Sequence, residues 1–143
     1  MPVFVDYATL HTCFGALYDE ASCDSRIAPR IRDAHLNIQF RYRDPDALVT
    51  IAAAREPSQP GAYFDVIWGD VDIPIDVEMS MQADIAHAFW HGRVNLMTAL
   101  ARRQIVARGP IPQILRLLPA VEPMYAMYPH ILQTIGRDDL IIR

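Results

Sequence analysis

Between Val71 and Met81 apolar and polar residues alternate without interruption. Val71, Ile73, Ile75, Val77, Met79 and Met81 fall on one side, and Asp72, Pro74, Asp76, Glu78 and Ser80 on the other. A strand points successive side chains to opposite faces, so this period predicts a half-buried strand. At Gln82 the period changes. Ala83, Ile85, Ala86, Phe89 and Trp90 share one face of a helix, with Gly92 as its C-terminal cap, and Leu96, Met97, Ala99 and Leu100 form a second short apolar helix. Ile105 and Ala107 then alternate with Gln104, Val106 and Arg108 up to Gly109. Strand, two helices and strand make one sheet with helices over one face.

The flanks extend this unit. Asp6 or Thr9 caps a first helix in which Leu10, Phe14, Leu17, Tyr18 and Ala21 recur at helical spacing. Residues 22–32 are polar, contain Pro29, and read as a connection with Ile27 and Ile31 turned inward. Three strands follow: Leu36, Ile38, Phe40 and Tyr42 alternate with polar neighbours, then come residues 48–54 and 63–68. Asp44-Pro45-Asp46 and the loop 56–61 supply the turns between them. Beyond Gly109, Pro110 and Pro112 suit a helix start, and Ile114, Leu115, Leu117 and Leu118 form an apolar stripe. Pro119 and Pro123 break that helix before Met124, Tyr125, Met127, Tyr128, Ile131 and Leu132.

With 143 residues, 52% of them hydrophobic, the chain reads as a single domain, 1–143, with its own core. A net charge of −4 argues against a nucleic-acid partner. All thirteen basic residues are arginine, which excludes lysine Schiff-base chemistry and the phosphate-loop lysine. Cys13 and Cys23 on one continuous helix would stand about 15 Å apart, too far for a disulfide, so two structural thiols are expected. MPVFVDYATL has no signal-peptide pattern and no apolar run is long enough to span a bilayer. The expectation is a cytoplasmic protein without stable membrane insertion.

Few residues invite chemistry. His87 and His91 stand at the i, i+4 spacing of a helical metal pair, but Ala88 holds the place of the metalloprotease glutamate and no third ligand is evident. Two histidines at the polar edge of a helix is the reading adopted. Cys13, His11 and Asp19 lack any local nucleophile motif, and there is no G-x-S-x-G, G-x-G-x-x-G or phosphate cradle. Asp72, Asp76 and Glu78 are read as the solvated side of their strand. No catalytic residue, metal or cofactor is therefore expected. The proline-broken, Met- and Tyr-rich C-terminus either completes the core or leaves room for a guest; composition alone favours the first.

The order of elements resembles the sterol-carrier-protein family. Asp76-Val77-Glu78-Met79-Ser80-Met81 is similar to that family's fourth strand, leading into the helix 82–90. Gly92-Arg93-Val94-Asn95 with Ala99-Leu100 is similar to its G-[KR]-L-N-P-x-x-A-F signature, and Ile105, Ala107 and Gly109 to its glycine-ended strand. Leu96, Leu100 and Arg103 depart from residues frequent there: proline, an aromatic and glycine.

The resemblance implies an α+β fold, a five-stranded, mainly antiparallel twisted sheet covered on one face by helices. It also implies an apolar tunnel between the two layers. A sterol, fatty acid, fatty acyl-CoA or similar lipid would then bind without catalysis. The strand ending at Met81 would be its floor. Phe89, Trp90, Leu96, Met97 and Leu100 would contribute one wall, and Leu115, Leu118, Met124, Tyr125 and Tyr128 the cover. Arg93 or Arg103 would meet an anionic head group at the mouth, or stand simply solvated. The alternative is a scaffold or accessory subunit whose apolar C-terminal helices pack on a partner or on a second copy as a homodimer.

Overall fold

The computed structural model describes residues 2–143. Asp6 caps α1 (Tyr7–Cys23) by accepting the Thr9 N–H, and Pro29 opens the short α2 (Ala28–Asp33) inside the expected connection. The strands are β1 (Asn37–Arg43), β2 (Ala47–Ala52), β3 (Asp65–Trp68), β4 (Val77–Gln82) and β5 (Ile105–Arg108). Between β4 and β5 lie α3 (Ala83–Trp90) and α4 (Leu96–Ala101). After β5 come α5 (Ile111–Arg116), α6 (Leu118–Val121), α7 (Met124–Thr134) and a 3₁₀ turn at Asp138–Leu140. The fold is α+β.

The sheet order is β3-β2-β1-β4-β5, antiparallel except for the central β1–β4 pair, which is parallel. Its register places Ile38 beside Val77, Phe40 beside Met79 and Tyr42 beside Met81. These six share one face, with Val49 and Ile51 of β2 continuing it outward. The opposite face carries Arg41, Glu78 and Ser80, with an Arg41–Glu78 ion pair at 3.7 Å and Gln39 donating to Thr50 at 3.2 Å.

The expected strand from Val71 begins only at Val77. Residues 71–76 keep the alternation, half-buried at Val71, Ile73 and Ile75 and exposed at Asp72, Pro74 and Asp76, yet they pair with no strand. Their polar groups are used differently. The Asp76 carboxylate accepts the Asn37 N–H at 2.8 Å, and its own N–H donates to the Asn37 carbonyl at 3.0 Å. Asn37 is buried; its side-chain NH₂ donates to the Pro74 carbonyl at 2.9 Å and its side-chain oxygen accepts the Ala54 N–H at 3.0 Å. One residue thus ties together the start of β1, the approach to β4 and the exit from β2. Gly109 crosses the same approach so closely that a Cβ there would lie 2.4 Å from the Asp76 carbonyl oxygen.

Both middle helices end in a Schellman turn. In α3 the N–H groups of Gly92 and Arg93 return to Phe89 and Ala88, with Gly92 at φ +73°. In α4 those of Arg103 and Gln104 return to Leu100 and Ala99, and Arg103 itself adopts φ +59°. Arg103 is exposed, so its departure from glycine bears on the turn and not on an interior wall.

His87 does not lie at a polar edge: only 1% of it is exposed. Its Nε2–H donates to the Leu140 carbonyl at 2.8 Å, which leaves Nδ1 to accept the Tyr128 hydroxyl at 2.8 Å. His91 donates from Nδ1 to the His87 carbonyl at 2.7 Å and accepts the Ile142 N–H on Nε2 at 3.2 Å. All four ring nitrogens are engaged, and the pair fastens the C-terminal tail and α7 to α3. Among the described residues no group of three metal-ligating side chains converges. Burial is the main cause of the low His87 pKa, pushed down to about 4 from an ordinary 6.5, and burial likewise lowers that of His91.

Three outcomes follow from these contacts. Asn37→Ala removes two side-chain hydrogen bonds and leaves the Pro74 carbonyl and the Ala54 N–H unmatched, lowering the stability measured by urea unfolding by about 2 kcal/mol. Arg103→Gly relieves the left-handed backbone and raises stability by about 1 kcal/mol in the same measurement. The neutral His87 contributes fully above pH 6.5. As pH falls toward 4 the unfolded chain takes up a proton that the folded one refuses, so stability drops by about 3 kcal/mol over that window and this contribution then levels off. Urea midpoints between pH 8 and 4 should show the drop in the wild type and a flatter profile in His87→Gln.

Candidate functional site

Helices that cover a twisted sheet must fill the space above it, and here they do so incompletely. Between the β1–β4 face and the helices lies a cavity of about 80 Å³. Its floor is Ile38, Phe40, Tyr42, Val77, Met79 and Met81, and α3 and α4 supply Ala86, Phe89, Trp90 and Leu96. Ile114 and Leu117 from the α5 side, and Leu118 and Val121 of α6, form the roof. No charged residue lines it.

The helices of that roof are short for physical reasons. Pro112 and Pro119 start α5 and α6, neither helix has a side-chain cap, and they run for six and four residues. Helices of this length hold together through packing alone. They bury little with which to pack: Ile114 in α5 and Ala120 in α6 are their fully buried residues. By contrast α7 is anchored by Tyr128, Ile131 and Leu132, all buried, and by the Tyr128–His87 hydrogen bond.

Outside the roof an open surface groove runs between α4 and α6. Val94, Asn95, Met97, Pro119, Glu122 and Tyr125 flank it, with Phe89, Leu96 and Leu118 at its base. The last three also line the cavity, so they form a partition one side chain thick between groove and interior. The Phe89 ring is held edge-on between Trp90 at 5.0 Å and Tyr125 at 5.7 Å, centroid to centroid.

Of the ten residues expected from sequence, the structure gathers Phe89, Trp90, Leu96 and Leu118 on the cavity wall. Met97 and Tyr125 lie on the groove, Met97 with 59% of its surface exposed. Leu100 borders a shallow surface depression beside β5. Leu115 is half-buried against the core, while Met124 and Tyr128 are buried away from the cavity. The strand ending at Met81, expected as floor, supplies Val77, Met79 and Met81; Ile38, Phe40 and Tyr42 of β1 are missing from the expected set, together with Ala86, Ile114, Leu117 and Val121. The inward row Ile38, Phe40 and Tyr42 was visible as alternation; its adjacency to Val77, Met79 and Met81 required the parallel pairing. Arg93 is exposed and, like Arg103, lies off the cavity.

The polar groups at the cavity wall belong to Tyr42 and Trp90. Trp90 donates its indole N–H to the Tyr18 hydroxyl at 3.1 Å, and the Tyr18 and Tyr42 hydroxyls are in turn hydrogen-bonded to each other. Burial pushes both phenols well above the ordinary tyrosine range, so both are neutral donors. The thiols stay free: Cys23 is exposed, and burial pushes the Cys13 thiol up to about 11, which makes it a poor nucleophile. His11 stacks on Tyr7 and packs at a tilt against Trp68. The assembled surface can bury apolar carbon and offer a neutral hydrogen bond.

No protein-family model and no curated protein matches the chain. Solved structures do. Sterol carrier protein 2 from Yarrowia lipolytica, in its apo form, is similar at TM-score 0.53 and 12% identity, over 89% of this chain and 89% of that one. The sterol carrier protein domain 2 of Helicoverpa armigera is similar at TM-score 0.53 and 14% identity, over 92% of this chain and 91% of that one. Part of a double mutant of the sec-alkyl sulfatase PisA1 also matches, at TM-score 0.54 and 13% identity, over 73% of this chain but 15% of that one. Element order, the five-stranded open sheet and its helical cover agree across nearly the full length of the two carriers: this chain has the sterol carrier protein 2 fold.

Proposed function

We propose that the protein binds an elongated apolar ligand between its sheet and its helical cover, and carries it without chemical change. The observation that supports this reading is the cavity itself, bounded by apolar side chains of β1, β4, α3 and α4 and roofed by two weakly anchored helices. The carriers that share the fold are named for sterols, and a sterol, fatty acid, fatty acyl-CoA or similar lipid is the ligand class proposed here.

Volume decides how such a ligand enters. The cavity, at about 80 Å³, is smaller than the ~150 Å³ that accepts benzene in an engineered protein core, and far below the roughly 300–1,000 Å³ of drug-sized ligand sites. Binding therefore requires expansion. The floor is a hydrogen-bonded sheet and α7 is fastened by His87, so α5 and α6 are the elements that yield. Opening of the Phe89–Leu96–Leu118 partition would join the groove to the interior and supply the entry path. A ligand burying about 300 Å² of apolar surface gains roughly 7 kcal/mol before ordering costs, which suits reversible, micromolar carriage.

Native mass spectrometry of the purified protein should show a co-purified lipid mass, released on denaturation. An empty protein that also fails to take up added lipid overturns the carrier reading, and an empty obligate oligomer favours the scaffold alternative. Leu118→Trp, which plugs the partition from a half-buried site, should lower the affinity for added lipid at least tenfold. Circular dichroism should show the helix and strand content unchanged.

A further inference from the structure

We propose that the Tyr18–Tyr42–Trp90 cluster is a recognition site for one neutral oxygen, a hydroxyl or a keto group, on an otherwise apolar ligand. This rests on the cavity reading above and adds the chemistry of the guest. The cluster contains three donor hydrogens: the Trp90 indole N–H and two phenolic O–H groups. It contains two hydrogen bonds, Trp90 to Tyr18 at 3.1 Å and the one between the two hydroxyls. Among the described residues neither phenolic oxygen has another hydrogen-bond partner. One O–H is therefore left without an acceptor, although Tyr18 and Tyr42 are each only 2% exposed. Buried donors in folded proteins are nearly always matched, so an unmatched one on a cavity wall has a ligand-sized explanation.

Tyr42 and Trp90 line the cavity and Tyr18 does not; Tyr42 also borders a surface depression with Arg41, Arg43, Asp46 and Asp70. A ligand oxygen reaching Tyr42 selects one arrangement. Trp90 donates to Tyr18, Tyr18 to Tyr42, and Tyr42 to the ligand oxygen, so that all three donors of the cluster have acceptors and the bonds polarise one another; a keto oxygen adds no donor, whereas a hydroxyl adds its own. The same wall rejects an anion. No arginine or histidine lines the cavity, and a carboxylate buried there would have one neutral hydrogen bond to set against the loss of its hydration. Ligands with an ionised head must leave that head outside, whereas an alcohol or ketone can be enclosed whole.

Displacement of an N-phenylnaphthylamine dye by 1-dodecanol, dodecane and dodecanoate at pH 8 separates these cases. The wild type should bind dodecanol about fivefold more tightly than dodecane, the size of one neutral hydrogen bond, and more tightly than dodecanoate. In Tyr42→Phe the alcohol's advantage over dodecane should vanish. Equal wild-type affinity for dodecanol and dodecane overturns the proposal while leaving the carrier reading intact, as does a preference for dodecanoate. An alcohol advantage that survives in Tyr42→Phe overturns it too. Failure of all three probes and the dye to bind overturns both readings. The wild-type comparison stands even if the variant folds poorly.

Discussion

The parallel pairing of β1 with β4 is the constraint on which the remainder of this structure depends. Two parallel neighbours cannot be joined by a tight hairpin. The connection from β1 to β4 here contains β2, β3 and the extended segment 71–76. That long return is registered at its end by Asn37, whose backbone and side chain bond Asp76, Pro74 and Ala54. Once the register is set, Phe40 must lie beside Met79 and Tyr42 beside Met81. Two apolar rows far apart in sequence become one continuous floor, and the helices must either fill the space above it or leave a cavity.

They do both, because the cover is uneven. Toward α1 and α7 the packing is dense. Phe14 contacts Phe4, Tyr42 and Tyr128, while both ring nitrogens of His87 and Nε2 of His91 bind α7 and the tail. Toward α5 and α6 the chain is interrupted by Pro112, Pro119 and Pro123, and no helix there completes two turns. Locally unstable elements are where proteins open most easily. The apolar floor is thus covered by a firmly anchored half and a weakly anchored one. The aromatic hydroxyl cluster of Tyr18, Tyr42 and Trp90 sits at the firm side.

Much of this was legible in the chain. The alternation at 36–42 and 77–81, the change of period at Gln82, the Asp6 cap and the proline breaks after Gly109 each correspond to an element of the structure. These signals are local: a side-chain period reports which way neighbouring residues face, and proline removes a donor wherever it stands. The same locality explains the error at 71–75. Burial alternates there as the pattern requires, but alternation records only facing and says nothing about whether a second strand lies alongside. Pro74 has no N–H to offer a ladder, and its carbonyl is taken by Asn37.

The histidines and the site residues show the complementary limit. Spacing placed His87 and His91 on one helical side, yet whether that side meets water or Tyr128 and Leu140 depends on chain segments about forty and fifty residues away. The helix residues expected to bind split among cavity, groove and core for the same reason, and the cavity floor came from a sheet face that only pairing could assemble. The sequence by itself determined most of the elements and the facing of the strand residues, because these follow from short-range periodicity. Only the tertiary structure decided which apolar faces meet, how much space they leave and which polar groups pair. Those are properties of residues brought together across the fold.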